Sequence, residues 1–144
     1  MKFVLLLIVF ITCVYIGFEI KKYFEDRVKL SDAILSFCEY AKKQIDFYNT
    51  PKDQIIDQYN SGILKKVLSG ESDKLLSVNE NNKVQEFLLS IGKYDAQNEL
   101  NNIEFYKLYF QSLKEKCTQD LQKKGGLSLK LSILIGILLC ILLF

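Results

Sequence analysis

The sequence predicts an all-α protein: an antiparallel helical bundle held between an N-terminal and a C-terminal transmembrane helix. Three observations predict it. Both ends of the chain are almost purely apolar, from Phe3 to Phe18 and from Leu131 to Phe144. Between them apolar residues recur three, four or seven apart, the spacing of one helix face. No run keeps the period-two alternation of a half-buried strand. The expected organisation is a transmembrane helix over 1–20, a helical bundle domain over 21–126 and a second transmembrane helix over 127–144.

A bilayer's hydrocarbon core is about 30 Å thick, so a spanning helix needs roughly 17 to 25 mainly apolar residues. The first segment reaches that length from Phe3 to Ile20 with Glu19 at the interface. The second runs from Leu127 to Phe144 with Lys130 near its start, where a long stem lets the ammonium reach the headgroups. A cleaved secretory signal is the competing reading of the first segment. It needs a small-x-small site, which Ile20, Lys21, Lys22 and Tyr23 do not supply. Ile11 and Thr12 likewise do not make Cys13 a lipoprotein cysteine. Lys21, Lys22, Arg27 and Lys29 follow the first span, and Lys114, Lys116, Lys123, Lys124 and Lys130 lead into the second. Basic flanks stay in the cytoplasm. The middle domain is therefore expected there, with both termini across the membrane.

Within the domain, Tyr23, Leu30, Ile34, Phe37, Ala41, Ile45 and Tyr48 mark one face of a first helix that no glycine or proline interrupts from Phe18 to Asn49. At about 1.5 Å per residue its cytoplasmic part would reach roughly 40 Å. Asn49-Thr50-Pro51 ends it, because the residue before proline is pushed out of the helical region. Thr50 is expected to cap a short second helix, with Pro51 and Asp53 in its first turn and Ile55, Ile56 and Tyr59 inward. Ser61-Gly62 breaks it. Ile63, Leu64, Val67 and Leu68 predict another short helix, closed by Ser69-Gly70. Lys74 to Val78 reads as a helical turn and Asn79 to Asn82 as a loop. Val84, Phe87, Leu88 and Ile91 predict an amphipathic helix stopped by Gly92. The last helix, capped by Asp95, is expected to run to about Lys124. Leu100, Ile103, Phe110, Leu113, Cys117 and Leu121 mark its core side, widened by Phe105, Leu108 and Tyr109. Gly125-Gly126 predicts a hinge before the second span.

Charge and chemistry exclude several functions. Lys and Arg number 19 against 17 Asp and Glu, which lacks the basic excess of a nucleic-acid binder. The chain has no histidine, the commonest general base and metal ligand. Cys13, Cys38, Cys117 and Cys140 form no CxxC pair, and a reduced, packed state is expected of the two middle-domain thiols. Gly62, Gly70 and Gly92 are isolated breakers, not a phosphate loop. Tyr40, Tyr48, Tyr59, Tyr94, Tyr106 and Tyr109 read as core, with a contact surface as the alternative. The expectation is a non-enzymatic protein without cofactor, metal, nucleic acid or small-molecule substrate.

Several short motifs in fixed order carry a resemblance. They are Gly17; Arg27; Gln44-Ile45-Asp46-Phe47 ahead of Thr50-Pro51; Ile91-Gly92-Lys93-Tyr94-Asp95 with Glu99; and Gly136. With these the chain resembles the stage III sporulation protein AB family. Glutamate is usual in the family where Gln44 stands, tyrosine at Phe47, glutamine at Glu99, and an anchor glycine at Ser132. Gln44 and Glu99 are therefore expected to have exchanged character. The family is similar to the helical cytoplasmic domains of type II secretion and type IV pilus platform proteins, which receive motion from a hexameric ATPase. The resemblance implies a platform or adaptor on the mother-cell side of the channel to the forespore. Its implied partners are a secretion-type ATPase, stage III sporulation protein AA, and other channel subunits. Its implied interaction or structural residues are Gly17, Arg27, Gln44, Ile45, Thr50, Pro51, Gly92, Asp95, Glu99 and Gly136. The alternative is a membrane-tethered regulator or sensor that binds a soluble cytoplasmic partner through a helix face.

Overall fold

The computed structural model describes residues 2–48, 50–59 and 62–143. Asn49 and Ser61, expected in turns, lie outside them. The helices are α1 (Lys2–Tyr48), α2 (Lys52–Gln58), α3 (Lys65–Leu68), α4 (Val78–Ser90), α5 (Ala96–Asp120) and α6 (Gly126–Leu143). A π-helical turn, Leu121–Gly125, joins α5 to α6. The described residues contain no strand. The chain forms two compact units: Met1–Val28 with Lys116–Phe144, and Lys29–Glu115.

The first unit is a pair of antiparallel helices in a register fixed by small residues. A Cβ placed on Gly17 would lie 2.7 Å from the Cβ and Oγ of Ser132. One on Gly136 would lie 3.0 Å from Phe10 and 3.4 Å from Cys13. The Cys140 thiol donates to the Leu6 carbonyl at 3.7 Å. Ser132, Gly136 and Cys140 thus form a stripe four residues apart, the pattern that lets helix backbones approach within lipid. Both helices are long and apolar enough to cross a membrane, and almost none of either apolar stretch is covered by the protein.

The expected glycine hinge is not a break. Gly126 is helical (φ −67°, ψ −40°), and the helix continues through one wide turn. Continuing the helix keeps the backbone groups of this turn paired, which outweighs the roughly 1 kcal/mol propensity penalty of each glycine. Gly125 is buried for a packing reason: an added Cβ would meet Leu121 at 3.0 Å and Phe24 at 3.7 Å.

The second unit is the helical bundle. Leu30, Ile34, Phe37, Ala41 and Ile45 of α1 face Ile103, Phe110 and Leu113 of α5, all buried. Phe87 of α4 fills the middle, its ring 5.7 Å from Phe110, 5.1 Å from Tyr106 and 6.2 Å from Phe37. Three ion pairs flank the α1–α5 seam: Asp32–Lys114 at 2.5 Å, Glu39–Lys107 at 3.4 Å and Lys42–Glu104 at 2.6 Å. Residue numbers fall on α5 by the same steps of seven and three by which they rise on α1, so the two helices run antiparallel. These pairs are partly exposed, and each contributes at most about 1 kcal/mol.

Four local expectations are corrected. Asn79 to Asn82 is not a loop, because α4 starts at Val78. Ser77 and Glu80 form a capping box: the Glu80 N–H donates to Ser77 Oγ, and the Ser77 N–H donates to Glu80 Oε2 at 2.7 Å. The buried Asn81 amide then donates to the carbonyls of Asp73, Leu76 and Ser77, tying the preceding segment down. The short third helix begins only at Lys65. It closes by a Schellman arrangement in which the N–H groups of Gly70 and Glu71 reach Val67 and Lys66, with Gly70 at φ +87°. Phe105 and Leu108 do not widen the core face; they lie on the outward side of α5 and are exposed. The tyrosines divide, with Tyr59 and Tyr106 packed on core rings and Tyr48 and Tyr94 exposed.

Candidate interaction site

The bundle has an open cleft of about 400 Å³ where α1 ends. Its apolar surface is Ile45, Pro51 and Ile91; its polar surface is Thr50, Lys52, Asp53, Tyr94 and Glu99, with Gly92 between. Two turns build it, and each is held by side chains that the sequence singled out.

The first turn leaves α1. Thr50 does not cap α2, whose N-cap position is Pro51 in extended conformation (ψ 147°) with no side-chain cap bond. Thr50 instead reaches back to α1. Its N–H donates to the Gln44 carbonyl at 3.2 Å and its hydroxyl donates to Gln44 Oε1 at 3.0 Å. Pro51 supplies no N–H, so the two donors of Thr50 hold this corner. Ile45, on the next α1 position, is buried behind it.

The second turn joins α4 to α5. Gly92 has φ +82°, a conformation that costs glycine nothing and other residues strain. Lys52 packs beside it, its Cβ 3.5 Å from where a Gly92 Cβ would stand, an ordinary contact, so the positive φ is what selects glycine. Glu99, only 3 % exposed, reaches into this turn from α5. Its Oε1 accepts the Gly92 N–H at 3.0 Å and its Oε2 accepts the Tyr94 N–H at 3.3 Å. Two oxygens thus meet two donors, which explains a carboxylate here: an amide offers only one oxygen. Asp95 stands just before α5. Its carbonyl accepts the Glu99 N–H at 2.8 Å and its Oδ1 accepts the Asn98 amide at 2.5 Å.

Gln44 and Glu99 thus hold different turns, Gln44 through Thr50 and Glu99 through Gly92 and Tyr94. Ile45, Thr50, Pro51, Gly92 and Glu99 share the cleft, with Gln44 and Asp95 supporting its turns. Gly17, Arg27 and Gly136 belong to the other unit, where the two glycines are contact points between helices. Lys52, Asp53 and Ile91 were not singled out as site residues; their adjacency to Pro51 and Gly92 was the available signal. Among the described residues no group of His, Cys, Asp and Glu is placed to hold a metal ion. Cys38 is fully buried, and burial pushes its thiol up to about 12, so it stays protonated and unreactive.

The lining of the cleft is of mixed apolar and charged character. A match to the stage III sporulation protein AB family covers residues 60–144, more than half the chain. The chain belongs to the stage III sporulation protein AB family. The match takes in Gly92, Asp95, Glu99 and Gly136, whereas Gly17, Arg27, Gln44, Ile45, Thr50 and Pro51 precede it. No curated protein and no solved structure matches the chain. The family assignment makes this a sporulation protein.

Proposed function

We propose that the chain is a non-enzymatic, membrane-anchored platform of the secretion-like channel between mother cell and forespore. Its two apolar helices hold it in the mother-cell membrane around the forespore, with the bundle in the cytoplasm. There it couples a secretion-type ATPase, stage III sporulation protein AA, to the membrane assembly. The observation that carries the reading is the cleft at the end of α1. The motif residues of the bundle converge on it, exposed Tyr94 lines it, and exposed Phe47 and Tyr48 end α1 just before Thr50 in the chain. Exposed aromatic side chains beside an apolar floor favour protein recognition, since aromatic anchors dominate interface energetics. Family membership and two helices of spanning length support the rest.

The test is co-purification of the detergent-solubilised full chain with the ATPase. Tyr94→Ala and Lys52→Glu change exposed or half-buried side chains of the cleft and leave Glu99 in place. Truncating a hot-spot tyrosine weakens binding by roughly 30-fold or more, and spore formation should fall in parallel. Unchanged binding in both variants, or nucleotide turnover by the purified chain alone, contradicts the proposal.

A further inference from the structure

The helix-pair unit carries a second feature, a band of charge at one end of its apolar stretches. The contacts of Gly125 with Phe24, Gly17 with Ser132 and Gly136 with Cys13 fix its register. That register places Lys22 within about one turn of Lys123 and Lys124, and Lys130 at the depth of Glu19, further into the apolar stretch. From Lys123 to Lys130 the band is about 10 Å deep.

These charges are not equally satisfied. Lys21 pairs with Glu25 at 3.5 Å, and Lys124 pairs with Asp120 at 2.8 Å. Lys22, Lys123 and Lys130 are exposed and have no carboxylate in reach among the described residues. Glu19 is the one carboxylate at the depth of Lys130, so the unpaired charge of the band is net positive. Each ammonium offers three donors and no acceptor, and so requires oxygen acceptors from outside the chain. Lys130 lies between Leu129 and Leu131 in an apolar run, where lipid rather than a soluble partner is the neighbour. Long lysine stems bring all three ammoniums to one headgroup layer.

We propose that Lys22, Lys123 and Lys130 bind the phosphodiester headgroups of anionic phospholipids, seating the helix pair in a negatively charged leaflet. The inference rests on the membrane reading above. A negative surface attracts a nearby lysine by about fivefold in partitioning, and salt screens the effect.

The experiment places the full chain in bilayer vesicles of phosphatidylcholine alone or with added phosphatidylglycerol. Flotation comes first: a chain that leaves the lipid in both compositions overturns the membrane reading itself. For the inserted chain, spin-labelled lipids report the relative association of the two headgroups. The expected result is a preference of roughly fivefold for phosphatidylglycerol at low ionic strength, shrinking as salt rises. The triple variant Lys22→Gln, Lys123→Gln, Lys130→Gln should float normally and show no preference, while the matching triple arginine variant keeps it. Equal association of both lipids with the parent, or an unchanged preference in the glutamine variant, overturns the proposal. Loss of the preference on adding inorganic phosphate at fixed ionic strength assigns the lysines to free anions and overturns the lipid assignment.

Discussion

Replacing Glu99 tests how the cleft is held. Its carboxylate is buried and grips the turn after α4 by two bonds, Oε1 to the Gly92 N–H at 3.0 Å and Oε2 to the Tyr94 N–H at 3.3 Å. A hydrogen bond to a charged group contributes about 1.5–3 kcal/mol. Both donors belong to exposed residues, so water replaces part of what alanine removes, and the lower end applies. Glu99→Ala should therefore destabilise the turn by about 3 kcal/mol in all. Glu99→Gln keeps one accepting oxygen and turns an NH2 toward the other donor, for a loss of about 1.5 kcal/mol. Amide hydrogen exchange on the detergent-solubilised chain separates the two. Alanine should speed exchange at both Gly92 and Tyr94 by roughly tenfold each, and glutamine at only one of them. Unchanged exchange in the alanine variant refutes the grip, and equal acceleration at both amides in the glutamine variant refutes the division between the two oxygens.

Two further outcomes follow from packing and burial. Gly17→Ala puts a methyl 2.7 Å from Ser132 and 3.3 Å from the Leu129 Cα, so the helices must part, at a cost of about 1–3 kcal/mol. Adding Ser132→Gly should restore most of the thermal stability in detergent; strictly additive losses would argue against the contact. Cys38 should resist maleimide in the folded chain and react on unfolding, as peptide mapping would report. Its proton is held to about 12 in the fold but lost near the ordinary 9.0 when unfolded. Its stabilisation is thus present below pH 9 and lost as pH rises from 9 towards about 12. In that window the parent should lose stability relative to Cys38→Ala by about 1.4 kcal/mol per pH unit; a constant gap between the two would contradict it.

The long helices were legible because their signals are dense. The face from Leu30 to Ile45 repeats three and four apart, and every one of those positions on α1 is buried. Pro51 and Gly92 punctuate the chain for covalent reasons that no tertiary context removes. Where sequence reading failed, a tertiary partner decided. Thr50 is an acceptable cap, but Gln44 lies within reach and takes its hydroxyl. Asn79 to Asn82 has the composition of a loop, but the Ser77-x-x-Glu80 capping box starts α4 ahead of it, and Asn81 satisfies its backbone neighbours from inside. Phe105 and Leu108 have the composition of core residues but the helical phase of surface ones. The Gly125-Gly126 pair looks like a break in isolation; the close approach of Leu121 gives Gly125 a packing role instead. Of the cleft, the motif residues were visible singly, but their convergence depends on two turns folding onto the end of α1.

Protease accessibility in sealed membrane vesicles addresses the central claim most directly: a doubly anchored chain whose bundle faces the cytoplasm. Trypsin added to inverted vesicles should cut within Lys29–Glu115, for example at exposed Lys65 or Lys66, and should leave the same segment whole in right-side-out vesicles. Cleavage of that segment only from the outer face, or recovery of the full chain in the soluble fraction, would contradict the account.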